Sequence, residues 1–280
     1  MTVELFDARQ CALGEGPLWH PERGQFFWFD ILGKRLLSQD ASGPLEWAFQ
    51  SHVSAAGWIN FDDLLIASEN ALFRFNIVSG ESERIVSLED HNPVTRSNDG
   101  RADPWGGFWI GTMGKSAEPK AGAIYRFFNG AVTQLFADIT IPNSICFAPD
   151  RSCAYFTDTP TRNIMRQDLN GDGWPDGVPT LFVDLNNEGL NPDGSVVDEQ
   201  GCLWNAQWGA SRVARYSPDG KFMSAIAFPA RQITCPAFGG ADRTTLYVTS
   251  AADRLTGGFE GQTFGYKQAA TGQCEHQIKL

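Results

Sequence analysis

Runs of large apolar residues recur along this chain, each followed by a polar turn, a second alternating stretch and a Gly- or Asp-containing turn. They begin at Phe26, Leu65, Phe108, Ala154, Leu203 and Leu246, so successive starts lie 39, 43, 46, 49 and 43 residues apart. Short aromatic and β-branched runs bounded by turn residues predict strands. A period of about 40–45 residues is that of a four-stranded propeller blade. One such sheet cannot bury both faces alone, whereas a closed ring packs each sheet between two others and leaves only short edges. The pattern therefore predicts an all-β, six-bladed β-propeller, with residues 1–280 as a single domain. Segments of helix-like spacing, such as Ser82 to Glu89, are short and lie between strand signals.

The segment before each apolar run should be the innermost strand of its blade, beginning at the central channel. Counting back ten or eleven residues from four of the run starts reaches Glu15, Asn98, Asn143 and Asp193. Equivalent positions of a closed ring converge on its axis, so these four side chains are expected to meet. The same phase in the other two blades gives Ser54/Ala55 and Cys235/Pro236, which read as wall. Two carboxylates and two amide carbonyls without His or Cys make a hard oxygen set, suited to Ca²⁺, Mg²⁺ or Mn²⁺, with Zn²⁺ and Fe²⁺ also compatible.

Composition narrows the function. With 22 Lys+Arg against 33 Asp+Glu the formal charge is −11, the opposite of what a nucleic-acid backbone attracts. A mean hydropathy of −0.25 and the lack of an apolar run of about 20 residues argue against a membrane partner. No basic start followed by an apolar stretch opens the sequence, and six cysteines (Cys11, Cys146, Cys153, Cys202, Cys235, Cys274) occur without a CxxC pair. Both features predict a cytoplasmic protein with buried, reduced thiols. Cys146 and Cys153 flank a tight turn, but a disulfide between them is not the favoured reading.

Other motifs are weaker. His20, His52, His91 and His276 are dispersed and out of the ligand phase, which leaves a His-metal site or a Ser-His-Asp triad without support. The stretch Asp168-Leu169-Asn170-Gly171-Asp172-Gly173 resembles the start of a calcium loop, but position 12 is Pro179 where an EF-hand needs a bidentate Glu. It reads as a long blade turn. Among Trp105, Trp109, Trp204 and Trp208, alternating strand tryptophans are expected in the core, with Trp208 the one candidate for stacking on a bound ligand.

Taken in order, Gly14-Glu15-Gly16-Pro17-Leu18-Trp19, Arg96-Ser97-Asn98-Asp99-Gly100, Phe108-Trp109-Ile110-Gly111-Thr112-Met113, Asn191-Pro192-Asp193-Gly194 and Phe238-Gly239-Gly240 make the chain similar to the SMP-30/gluconolactonase/luciferin-regenerating-enzyme (regucalcin) family. The resemblance implies a propeller holding one divalent cation and acting on a small-molecule sugar lactone of five or six carbons. It places metal ligands at Glu15, Asn143 and Asp193, the base at Asp193, and substrate contacts at Arg96 and Asn98. The segment from Lys115 to Gly122 has no clear counterpart.

A lactone is a cyclic ester whose hydrolysis builds negative charge on the carbonyl oxygen, which a cation with an open position stabilises. Water is then activated by Asp193 or as hydroxide on the metal, because a metal-bound carboxylate is a weaker base. Two alternatives use the same site: hydrolysis of another ester or a phosphotriester, and a non-catalytic calcium-binding propeller.

Overall fold

A computed structural model describes residues 2–280. Met1, part of the expected 1–280 unit, lies outside the described residues. Six antiparallel four-stranded sheets form the six blades of a β-propeller. Their innermost strands are Gly14–His20, Val53–Trp58, Thr95–Ala102, Pro142–Phe147, Asn191–Val197 and Gln232–Gly239, for blades 1 to 6. Apart from a single 3-10 turn at Thr159–Thr161, the regular structure of the described residues is all strand. The helix-like Ser82 to Glu89 segment lies largely in the outermost strand of blade 2, Ser82–Ser87.

The ring closes by pairing its ends. Val3–Asp7 adds antiparallel to Thr263–Tyr266 and completes blade 6. Phe6 and Phe26 both pack on Tyr247, at centroid distances of 4.8 and 4.5 Å, and on each other at 5.5 Å. This aromatic cluster joins the closing blade to blade 1, burying area where an open ring would fray. The predicted apolar runs form second strands buried on both sides: all six residues of Gln25–Asp30 and all seven of Phe108–Gly114 are buried. A strand sandwiched between blades needs apolar groups on both faces, so it reads as a continuous run.

The C-terminal segment crosses the end of the channel away from the site described below. Gln273 Nε2 donates to the carbonyls of Phe147 and Val197, both at 3.0 Å. Glu275 pairs with Arg101 at 2.5 Å, and its carbonyl accepts from Trp58 Nε1 at 3.0 Å. Ile278 is buried and its N–H bonds to Trp58 O. The tail thus ties blades 2 to 5 together.

The cysteines are all free, and five of them are buried; Cys274, in the tail, is exposed and departs from the expected burial. No helix is long and apolar enough to cross a membrane among the described residues.

Candidate functional site

Each innermost strand carries a break in register near the channel mouth: after Glu15, Val53, Ser97, Asn143, Pro192 and Ile233 in blades 1 to 6. A β-bulge leaves residues unpaired and re-aims their side chains. Six bulges at one level turn the strand starts into a polar funnel. The register corrects the single phase expected from the sequence. Glu15 and Asn143 are the last paired residues before the break, whereas Asn98 and Asp193 come one position later, inside it. In these four blades the last paired residue lies eleven positions before the apolar run, so the counts of eleven for Glu15 and Asn143 and of ten for Asn98 and Asp193 reflect this offset.

All four side chains are nevertheless buried and line one open pocket of about 510 Å³, together with Arg96, Trp208, Lys115, Thr159, Asp253 and Arg254 among others. Ser54 and Cys235 are buried and do not line it. Gly16 shows why a glycine follows Glu15 at the first bulge. Its φ is +53°, and a Cβ there would meet Ser54 O at 2.1 Å. We expect Gly16→Ala to cost about 2 kcal/mol or more, through backbone strain and the displaced neighbouring blade, and to lower cation affinity by shifting Glu15. Urea unfolding and calorimetric titration of the variant check both effects.

Hydrogen bonds fix the site across blades. Arg96 Nη1 donates to Asn98 Oδ1 at 2.9 Å and to Ser97 O at 2.8 Å. Asn98 Nδ2 donates to Pro142 O at 2.9 Å and to Asn143 Oδ1 at 3.2 Å. Asn143 Nδ2 donates to Thr159 Oγ1 at 2.9 Å, and Thr159 Oγ1 in turn donates to Pro192 O at 2.8 Å. The chain of donors leads from blade 3 through blade 4 to blade 5. Asn98, bonded through both ends of its amide, braces Asn143, whose oxygen retains acceptor capacity.

The electrostatics are those of crowded carboxylates. Burial, followed by the charge of Asp99, pushes Glu15 up to about 8. Burial raises Asp99 to about 6, although its carboxylate accepts from Ile145 N at 2.7 Å. Asp193 is held well above the usual carboxylate range by burial and then by the charges of Glu15 and Asp99. Burial lowers Arg96 to about 10 against the opposing pull of Glu15. Of the two buried arginines near these three acids, Arg101 acts on Asp99 but is paired with Glu275, which leaves Arg96 at the pocket; the oxygens of Glu15, Asn143 and Asp193 match a hard divalent cation. No group of three or more His, Cys, Asp or Glu suited to a metal is present among the described residues; this set has two carboxylates and amides.

The remaining sequence candidates fall elsewhere. His20 Nε2 bonds to Asn60 O, His52 to Glu69, His91 is exposed, and none of the four histidines lines the pocket. The calcium-loop-like stretch is a blade 4 turn: Asn170 Oδ1 accepts from the N–H groups of Asp172 and Trp174, and Asp168 pairs with Arg166. Trp109 and Trp204 are core residues, and Trp105 donates to Gly171 O. Asp99, Thr159, Lys115, Asp253 and Arg254 were not singled out from the sequence. Of these, Asp99 had a signal, since it follows Asn98 in a quoted motif; the others come from loops whose placement depends on the closed ring.

Fold and pocket together define a six-bladed propeller with an oxygen-lined site at the mouth of its channel. Residues 13–252 match the family described as the SMP-30/Gluconolactonase/LRE-like region, and the chain belongs to that family. It is 38% identical to an L-arabinolactonase of Azospirillum brasilense, over 88% of this chain and 83% of that one. It is 34% identical to a 6-deoxy-6-sulfogluconolactonase of Pseudomonas putida, over 90% and 88%. A crystal structure of a calcium-binding protein, regucalcin, from Agrobacterium tumefaciens superposes with a TM-score of 0.96 at 39% identity, covering 100% of this chain and 98% of that one.

Proposed function

We propose that the protein hydrolyses a five- or six-carbon sugar lactone to the aldonic acid in the pocket at the channel mouth. The observation that carries this reading is the convergence of Glu15, Asn143, Asp193, Arg96 and Asn98 on one open pocket. Lactonase names among relatives 34–38% identical support it.

Glu15, Asn143 and Asp193 would hold one divalent cation, and when bound it supplies Lewis-acid stabilisation of charge on the carbonyl oxygen. Asp193 takes a proton from water as the water oxygen bonds to the carbonyl carbon. The bond from that carbon to the ring oxygen then breaks, and the proton passes to the ring oxygen as it leaves. Burial and the adjacent acids raise the proton affinity of Asp193, which opposes the drop that a bound cation brings. Arg96 uses Nη1 to hold Asn98, and its remaining guanidinium donors are left for substrate oxygens. Trp208, the last residue of the strand Leu203–Trp208, lines the pocket as the apolar surface for a sugar face.

Acid release from a panel of aldonolactones, read with a pH indicator, tests the reading and ranks substrates. Acceleration over spontaneous hydrolysis of at least one lactone is the expected result. Silence across the panel with the cation bound would contradict it and favour another ester, or a non-catalytic role.

A further inference from the structure

The segment after the second strand of blade 3 carries a cation that the reaction above does not use. Lys115 lines the same pocket as Arg96. It follows the strand Phe108–Gly114, in which Gly114 pairs with Thr95 and Met113 with Arg96, so blade 3 brings both cations to one wall. The ammonium is anchored. Lys115 Nζ donates to Glu69 Oε2 at 2.8 Å and to Pro93 O at 3.1 Å, while its own N–H bonds to Val94 O.

Glu69 is itself held from the other side by His52, through both the ring Nδ1 and the backbone N–H. Burial works to raise the Glu69 carboxyl, but donation from Lys115 and His52 outweighs it and holds the group down at about 2. The anchor is therefore charged at any working pH. The loop that follows is also pinned: Ala117 N bonds to Gly114 O, Ser116 N to Glu118 Oε2, and Lys120 N to Thr140 Oγ1.

An ammonium has three N–H donors, and two of those on Lys115 are used within the protein. The third is available at the pocket, beside a guanidinium that also donates without accepting. We propose that Lys115, positioned by Glu69, binds the substrate with Arg96, the two forming a donor-only wall that reads hydroxyl oxygens of the sugar away from the reacting carbonyl. The proposal rests on the lactonase reading and names how its substrate class is recognised.

Lys115→Met keeps the stem and removes the donor; Glu69→Gln keeps the shape and weakens the anchor. The kinetic probe is the aldonolactone that the parent protein hydrolyses fastest, and the binding probe is the hydrolytically inert 1,5-lactam of gluconic acid, followed by calorimetry. The wall predicts about a tenfold or larger rise in KM for Lys115→Met, by analogy with other charged hydrogen bonds, with kcat within threefold. Glu69→Gln should show a smaller rise of the same kind, and lactam affinity should fall in parallel. A KM and lactam affinity unchanged in Lys115→Met, with the parent hydrolysing its lactone normally, would overturn the role of Lys115 and leave the lactonase reading intact. Failure of the parent on every lactone would overturn both.

Discussion

Asp193→Asn is expected to lower kcat by about 10²- to 10⁴-fold, the usual contribution of a positioned base, with KM within a few-fold at saturating cation. The amide matches the carboxylate in size and can still offer an oxygen, but it takes no proton from water. The side chain is buried at the channel mouth beside Glu15 and Asp99, so the variant removes one of three mutually repelling charges. It should fold at least as well as the parent. Because an interaction needed only in the transition state lowers kcat and kcat/KM together, steady-state kinetics separate a lost base from lost binding. Turnover close to that of the parent would remove Asp193 from this role.

The second large effect concerns stability without cation. Glu15 is pushed from its ordinary 4.5 to about 8, and Asp99 from 3.8 to about 6, in each case chiefly by burial. Groups with raised pKa bind more protons folded than unfolded between those values. Their favourable contribution is fully present below about pH 4 and is lost as pH rises through the folded values, so stability falls across that window. Chelated protein should therefore melt several degrees lower at pH 8 than at pH 5. A divalent cation held by the proposed site would bind the folded state alone and offset the repulsion, so it should raise the melting temperature more at pH 8 than at pH 5. Glu15→Gln should flatten the fall of the chelated protein. Equal melting temperatures at both pH values in chelated parent would contradict this electrostatic picture.

Much of this architecture was legible because it repeats. The buried second strands, exemplified by Gln25–Asp30 and Phe108–Gly114, must be apolar on both faces, and their spacing reports the blade count directly. Glu15, Asn143 and Asp193 were legible for the same reason, since ring closure makes equivalent positions neighbours. The offset between Glu15 and Asp193 was present in the counts, eleven residues to Phe26 against ten to Leu203, but its cause was not legible, because a bulge shifts register without changing composition. Nor was the closing strand: Val3–Asp7 pairs with Thr263–Tyr266, a contact between chain ends with no local signal. Gln273, Glu275 and Ile278 lie in a segment with no strand pattern, and their partners on blades 2 to 5 come into range only once the ring has formed. Lys115 was in a segment without a counterpart in the family resemblance, and its anchor Glu69 is 46 residues away.

The most direct measurement is acid release from the aldonolactone panel by protein stripped with chelator, before and after single divalent cations are restored, with Asp193→Asn alongside. The account predicts hydrolysis above the spontaneous rate in the restored parent, and little in the stripped protein or the Asp193→Asn variant. Full activity in stripped protein, or none in restored protein that binds cation by calorimetry, would contradict it.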